Sequence, residues 1–167
     1  VMRAEGVTFK TNANLGVNVK VSQLMRDFDA IVLAGGSTIP RDIPIKGRDL
    51  KGVHFAMEFL PQQNRRVSGK EPQAGKDLWA TDKNVVVIGG GDTGADCVGT
   101  SNRHGAKSIT QLELLPQLPR ERTESMPWPN WPMILRTSTS HDEGCERMWS
   151  VQTKEFIGDA EGNLTGL

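Results

Sequence analysis

The sequence has no tyrosine, three histidines and two cysteines among its 167 residues. Cys97 and Cys145 are far apart and neither belongs to a Cys-x-x-Cys pair, so iron–sulfur clusters, structural zinc and dithiol redox chemistry lack their usual ligands. We therefore expect no metal site. Two buried free thiols, as in a cytoplasmic protein, are the favoured interpretation of these cysteines, and a single disulfide is the alternative.

The chain also lacks an excess of charge of either sign, because 20 basic residues balance 20 acidic ones. A general binder of nucleic acid or of an anionic membrane surface would carry a basic surplus, so we expect neither partner. No apolar run approaches the roughly 20 residues that span a bilayer. Arg3 and Glu5 interrupt the N-terminus before an apolar signal segment forms. These absences predict a cytoplasmic location.

Glycine and proline are abundant, with 18 and 9 residues, which indicates many turns without reaching the composition of a disordered chain. The length suits one compact domain, or one domain that carries part of another. The chain begins with Val1 rather than methionine and stops at Leu167, directly after a strand-like start at 162–165. We therefore expect a piece of a longer polypeptide.

The N-terminal third predicts short strands and one short helix. Alternating apolar and polar side chains are typical of a half-buried sheet, and a continuous apolar run before a glycine pair is typical of a strand buried on both faces. The expected elements are strands over 6–10, 16–21 and 29–34 and a helix over 23–28. A loop rich in glycine and proline over 37–52 then indicates a boundary between two packing units.

The rest of the chain predicts alternating helices and strands. A helix over 54–66 contains Pro61, which predicts a kink or two abutting short helices. The elements expected after a polar linker over 67–82 are a buried strand over 84–89, a helix over 92–104, a strand over 108–115, irregular structure through most of 116–147, a strand over 148–156, a turn over 158–162 and a strand from 164. This order predicts an α/β fold of the Rossmann-like type with a parallel sheet.

A glycine-rich turn joins the strand over 84–89 to the helix that follows. The residues that fit the G-x-G-x-x-G pattern are Gly89, Gly90, Gly91, Asp92, Thr93 and Gly94. The first glycine of the pattern permits a tight turn, the second lets a diphosphate approach the backbone, and the third lets helix and strand pack closely. Free N–H groups and the helix dipole would hold the diphosphate, so the turn predicts a dinucleotide site rather than a plain strand–turn–helix.

No catalytic residue is predicted. Asp92 and Asp96 lie four residues apart on one face of the helix, and we interpret them as capping or pocket-wall residues. The histidines His54, His104 and His141 are lone, and the absence of tyrosine excludes a Tyr–Lys pair. Lone histidines are more often structural or exposed than catalytic.

The charged residues after the turn leave the choice between NAD and NADP open. Glu113 lies about 20 residues beyond the last glycine, where a carboxylate binds the ribose hydroxyls of NAD. Arg120 and Arg122 follow on the loop after the second strand, where a 2′-phosphate would lie, and guanidinium groups suit phosphate geometry. Other cations expected not far away are Arg103, His104 and Lys107.

Seven segments of the sequence together form a recognisable family pattern: 86–101 (VVIGGGDTGADCVGTS), 108–113 (SITQLE), 28–37 (FDAIVLAGGS), 40–44 (PRDIP), 54–60 (HFAMEFL), 63–66 (QNRR) and 124–129 (ESMPWP). These segments resemble the small (beta) subunit of NADPH-dependent glutamate synthase. They run over nearly the whole chain, so the resemblance is far more specific than the glycine turn alone.

The resemblance implies an FAD-binding domain interleaved with an NADPH-binding domain of similar Rossmann-like fold. In such enzymes hydride passes from NADPH to FAD, and electrons continue through iron–sulfur clusters to a large subunit, the implied partner, where glutamine-derived ammonia and 2-oxoglutarate become glutamate. Gly35 and Gly36 match the second flavin-side motif of the family. The first FAD-binding glycine turn, the cluster cysteines and the last flavin-contacting segment have no counterpart here.

The resemblance therefore implies two parts: a partial FAD-domain segment over 1–38, and an NAD(P)H-binding domain over 39–167 that is truncated at its C-terminal end. NADP(H) is the expected cofactor, and FAD belongs to the parent protein and is not expected to be retained. We expect no whole-enzyme activity from this chain alone. The alternatives are a self-standing NAD-dependent dehydrogenase or reductase, another NAD(P)-dependent flavin reductase or dehydrogenase domain, and a non-catalytic nucleotide-binding interaction module. The Pro/Trp segment 127–132 suggests the last of these, although we expect that segment to cover the edge of the sheet.

Overall fold

The computed structural model describes residues 1–37, 39–71 and 77–167. The chain divides into two compact units, Val1–Ser37 and Thr38–Leu167. Thr38, at the end of the predicted first segment, and Pro72 and Gly75, in the predicted linker, lie outside the described residues. No helix in these described ranges combines the length and the apolar character that crossing a bilayer requires.

The first unit contains one helix and no strand over its described residues. The helix, α1, spans Val21–Asp27, which agrees with the predicted short helix. Residues 6–10 have no regular structure, and the next predicted strand, 16–21, supplies only an isolated bridge between Leu15 and Val19. The prediction of a half-buried sheet here is wrong.

The apolar run over 29–34 is not a strand either. Val32 is 88% exposed and Leu33 is 80% exposed, and residues 1–37 include no buried side chain. A strand needs a neighbouring strand for its N–H and C=O groups and a packed layer for its apolar side chains. Because the described residues of this unit supply neither, the prediction of a strand buried on both faces is wrong.

The second unit is built on a three-stranded parallel sheet. Its strands are β1 (Asn84–Ile88), β2 (Ser108–Glu113) and β3 (Glu146–Trp149), in the spatial order β1-β2-β3. The helix α3, Asp92–Arg103, connects β1 to β2. This strand order is that of one mononucleotide-binding half of a doubly wound sheet. The predicted Rossmann-like α/β fold is confirmed.

A cluster of buried apolar side chains lies on one face of this sheet, where α3 packs against the strands. Val87, Cys97, Val98 and Ile109 form its buried centre, and half-buried Cys145 packs against them. Burial raises the pKa of the Cys97 thiol to about 11. Both cysteines are free. On the opposite face the apolar side chains of Val86, Ile88 and Met148 are exposed, so the prediction of a fully buried strand over 84–89 is correct for one face only.

The helix before the sheet, α2, spans Ala56–Val67 without interruption and contains Pro61. The missing Pro61 N–H deprives only the Met57 carbonyl of its helical donor. Met57 is exposed, so water can take the place of that donor. The predicted helix is confirmed, and the division into two short helices is wrong.

The connection from β2 to β3 is mostly irregular, as its prolines predict. Its one short helix in the described chain, α4, spans Thr139–Asp142. β3 ends at Trp149 and is followed by Ser150, which has a left-handed φ of +58° and whose N–H still donates to the carbonyl of Leu115 at 3.1 Å. The predicted strand over 148–156 is therefore displaced: the observed strand starts and ends earlier.

The C-terminal residues form a small antiparallel hairpin of β4 (Ile157–Gly158) and β5 (Leu164–Gly166). The predicted turn between them is confirmed, and Asp159 closes it by accepting the N–H of Asn163 at 2.7 Å. The 42–53 segment packs against this hairpin through bridges from Lys46 to Glu155 and from Lys51 to Asn163.

Candidate functional site

The glycine turn lies at the carboxyl end of β1, the edge at which parallel sheets of this kind bind ligands. Gly89 has a φ of +122°, a region that side chains with a Cβ atom rarely adopt. Its N–H donates to the carbonyl of Leu112 at 2.8 Å, which ties the start of the turn to β2. The predicted role of Gly89 in a tight turn agrees with this backbone.

The five amides that follow, from Gly90 to Gly94, donate no hydrogen bond within the described part of the chain. Gly91 is the N-cap of α3, and apart from its own chain neighbours no heavy atom of the described residues lies within 4 Å of its Cβ position. The first helical bond runs from Ala95 N–H to the Gly91 carbonyl at 3.0 Å. A row of free N–H groups at the positive end of a helix, with open space above it, suits an anionic group such as a diphosphate.

Gly94 is where the helix and the turn approach most closely. A Cβ atom on Gly94 would overlap the carbonyl oxygen of Gly89 and lie 2.9 Å from Nε2 of Gln111. The small α3 residues Ala95, Val98 and Gly99 are all buried, as the sequence predicts for close helix–sheet packing.

Replacement of Gly94 by alanine is expected to destabilise the fold by about 1–3 kcal/mol, because the new methyl group meets backbone that cannot move without breaking the turn. Gly91→Ala is the matched control, since its Cβ position is open. Urea unfolding of the two variants checks the difference. Equal free energies of unfolding for Gly94→Ala and wild type would contradict it.

A buried glutamine in β2 forms a hydrogen bond with the glycine turn. Gln111 in β2 is 1% exposed, and its Nε2 donates to the Gly89 carbonyl at 2.9 Å. Its Oε1 lies 3.0 Å from Nε2 of His141 in α4. The Ser138 N–H donates to Nδ1 of His141 at 3.1 Å. Burial, together with the charge of Arg147, holds the pKa of His141 below its usual range, and Asp142 opposes this shift.

Glu113 lies beside the turn, at the last position of β2. A Cβ atom built on Gly90 would overlap the Glu113 carboxylate and lie 2.8 Å from its Oε1. Trp149 is in register with Glu113 at the end of β3. The structure therefore brings together the glycine turn and the carboxylate that the sequence predicts for the ribose.

The two predicted phosphate-binding arginines lie on the exposed loop after β2. Nη1 of Arg122 donates to the carbonyls of Met126 at 2.6 Å and Asn130 at 2.9 Å, so Arg122 organises the loop itself. Arg120 has neither an ion pair nor a hydrogen bond to any described residue. Their contact with a 2′-phosphate stays a prediction.

Asp92 and Asp96 do not cap α3 through a side-chain hydrogen bond. Asp92 and Thr93 are exposed in the first turn, and Asp96 is exposed one turn further on. Asp92 still favours the helix through its dipole. The interpretation of Asp92 and Asp96 as residues that cap α3 by a hydrogen bond is therefore wrong.

The other cations expected near the nucleotide lie at the far end of α3. The helix has 12 residues, so its ends are about 17 Å apart. Arg103 pairs with Glu143 at 2.7 Å, and His104 is buried between the rings of Phe59 and Trp79. Lys107 bonds through its N–H to the Lys83 carbonyl at the amino end of the sheet. The expected position of these cations near the phosphate is wrong.

Gly35 and Gly36 belong to the first unit, where both are exposed and Gly36 has a left-handed φ of +69°. Their flavin contact stays a prediction.

Trp128 is 83% exposed and Trp131 is 70% exposed, so the expectation that segment 127–132 covers the sheet edge is wrong.

Gln111, His141 and Ser138 are not among the predicted site residues, and His141 was expected to be a lone histidine. A polar side chain at an inward strand position between Ile109 and Glu113 needs a buried partner, and this alternation is a signal for Gln111. No local pattern connects Gln111 to His141, because their contact spans 30 positions.

The chain belongs to the pyridine nucleotide-disulphide oxidoreductase family, whose pattern matches residues 1–165. It is 48% identical over 169 residues to the protein named glutamate synthase (NADPH) small chain of Mycobacterium tuberculosis, a match that covers 99% of this chain and 34% of that protein. It is 37% identical over 173 residues to the protein of the same name from Bacillus subtilis, covering all of this chain and 35% of that protein.

The protein of Schizosaccharomyces pombe named glutamate synthase (NADH) is 47% identical over 175 residues, which cover all of this chain and 8% of that protein. The chain thus spans about a third of the length of the two bacterial relatives. These relatives confirm the resemblance to glutamate synthase small chains. Their names include both NADPH and NADH.

Proposed function

We propose that the turn from Gly89 to Gly94 binds the diphosphate of a nicotinamide dinucleotide. The observation that carries this proposal is the row of five unbonded amides around the open Cβ position of Gly91. Each free N–H can donate to a phosphate oxygen, and the α3 dipole adds a favourable field. When bound, the nicotinamide ring supplies the hydride chemistry, and the turn holds the cofactor in place.

The larger protein that we propose is the small subunit of a glutamate synthase, in which electrons pass from NADPH to FAD and on to a large subunit that makes glutamate. In it, residues 39–167 act as the NAD(P)H-binding domain and 1–38 as part of the FAD domain, with Gly35 and Gly36 on the flavin side. The relatives named above support this assignment. The free thiols fit a reducing compartment such as the cytoplasm.

NADP(H) is the dinucleotide that we propose, with Arg120 and Arg122 contacting its 2′-phosphate. Both arginines are exposed, and Arg120 has no partner among the residues that the structure describes; these two observations support this choice. The Glu113 carboxylate beside Gly90 is the competing feature, because it suits ribose hydroxyls and repels a phosphate.

The purified chain is expected to bind NADPH but to carry little or no FAD, because the sequence has no first flavin-type glycine turn. Fluorescence titration with NADPH and NADH measures the first property, and the visible absorption spectrum measures the second. Absence of binding for both dinucleotides would contradict the proposed site. A flavin absorption band of one equivalent would contradict the expected loss of FAD.

A further inference from the structure

The side chain of Gln111 determines which way the first peptide group of the glycine turn faces. In a trans peptide the C=O and N–H bonds point in opposite directions. Nε2 of Gln111 holds the Gly89 oxygen on the buried side at 2.9 Å, so the N–H of Gly90 points away from Gln111. The Gly90 N–H is the first of the five free amides.

His141 determines in turn which way the Gln111 amide faces. Because the Ser138 N–H donates to Nδ1 of His141, the ring proton of neutral His141 is on Nε2 and donates to Oε1 of Gln111. A reversed Gln111 amide would place an N–H donor against the His141 donor and a carbonyl against the Gly89 carbonyl. Gln111 is almost completely buried, so water cannot relieve either conflict.

We propose that Ser138, His141 and Gln111 form a positioning relay that orients the Gly89–Gly90 peptide for diphosphate binding. This inference rests on the proposed function of the turn. None of the three residues needs to touch the nucleotide. The relay acts by keeping the Gly89 oxygen, which would repel a phosphate, away from the ligand side and the Gly90 N–H towards it.

Substitutions that remove the relay's hydrogen bonds at similar side-chain size test this proposal. Gln111→Met cannot donate to Gly89 and is expected to weaken NADPH and NADH binding about tenfold. His141→Leu and His141→Gln form a matched pair, since only glutamine can donate to Oε1 of Gln111. His141→Leu is expected to lose affinity several-fold, and His141→Gln to recover most of it. Thermal melting shows which variants are folded.

The ¹⁵N–¹H chemical shift of Gly90 provides a second readout. If Gln111 and His141 only stabilised the fold, this shift would stay the same in the folded variants. We expect it to move in Gln111→Met and His141→Leu, and to return towards the wild-type position in His141→Gln. Folded Gln111→Met and His141→Leu proteins with wild-type affinity and an unmoved Gly90 resonance would overturn the relay. If Gln111→Met does not fold, the affinities and Gly90 resonances of His141→Leu and His141→Gln test the relay instead.

These outcomes separate the relay from the nucleotide site. Wild-type protein that binds neither NADPH nor NADH would contradict the proposed function. In that case, the Gly90 resonance of the variants would still decide whether the relay orients the turn. Wild-type binding that is insensitive to all three variants would leave the nucleotide site in place and remove the relay.

Discussion

Replacement of Gly91 by valine is expected to weaken binding of NADPH and NADH by at least about a hundredfold while the protein stays folded. Gly91 has a φ of −78° and a ψ of −178°, an extended backbone that valine adopts readily. Beyond its chain neighbours, no heavy atom in the described ranges lies within 4 Å of its Cβ position, so the substitution collides with none of these residues. The branched side chain instead occupies the space through which the diphosphate reaches the free amides.

The expected size follows from the bonds that the valine side chain blocks. A hydrogen bond from an N–H to a charged phosphate contributes about 1.5–3 kcal/mol, and loss of two of them accounts for a hundredfold or more. Gly91→Ala is the graded control and should lose less, because it adds a single methyl group. Fluorescence titration and thermal melting measure affinity and folding together. A folded Gly91→Val protein with unchanged affinity would remove the phosphate role from this turn.

The Arg120→Ala/Arg122→Ala double variant is expected to bind NADP about ten- to a hundredfold more weakly, while its NAD affinity hardly changes. Only NADP carries the 2′-phosphate that the two guanidinium groups would contact. Parallel titrations of NADP and NAD into the wild-type and variant proteins measure the preference. Equal losses for the two dinucleotides, or no loss, would show that these arginines do not bind the phosphate.

Two single variants make this test sharper. Arg120→Ala leaves in place the bonds of Arg122 to Met126 and Asn130, so a selective loss of NADP affinity in this variant cannot come from a disordered loop. Glu113→Gln removes the carboxylate beside Gly90 without changing its shape, and is expected to strengthen NADP binding and weaken NAD binding. Wild-type protein that binds NAD more tightly than NADP would show that Glu113 dominates.

The strand–turn–helix that carries the candidate site could be predicted from the sequence alone. An apolar run, three spaced glycines and a helix of small residues are local patterns, and short-range sterics and hydrogen bonding determine their outcome. The observed β1, turn and α3 agree with that prediction. The prediction of a strand over 29–34 also rested on a local pattern and was wrong, because an apolar run becomes a strand only when another part of the chain pairs with it.

A Rossmann-like half with a glycine turn, and membership of the pyridine nucleotide-disulphide oxidoreductase family, follow from the amino-acid sequence alone. The folded chain was needed to show that Gly94 is confined by the Gly89 carbonyl whereas Gly91 is open, and that Arg103, His104 and Lys107 lie at the other end of α3. It was also needed to show that Gln111 meets His141 across 30 positions. Such steric contacts and buried hydrogen bonds depend on which distant segments the fold brings together, and no local pattern encodes them.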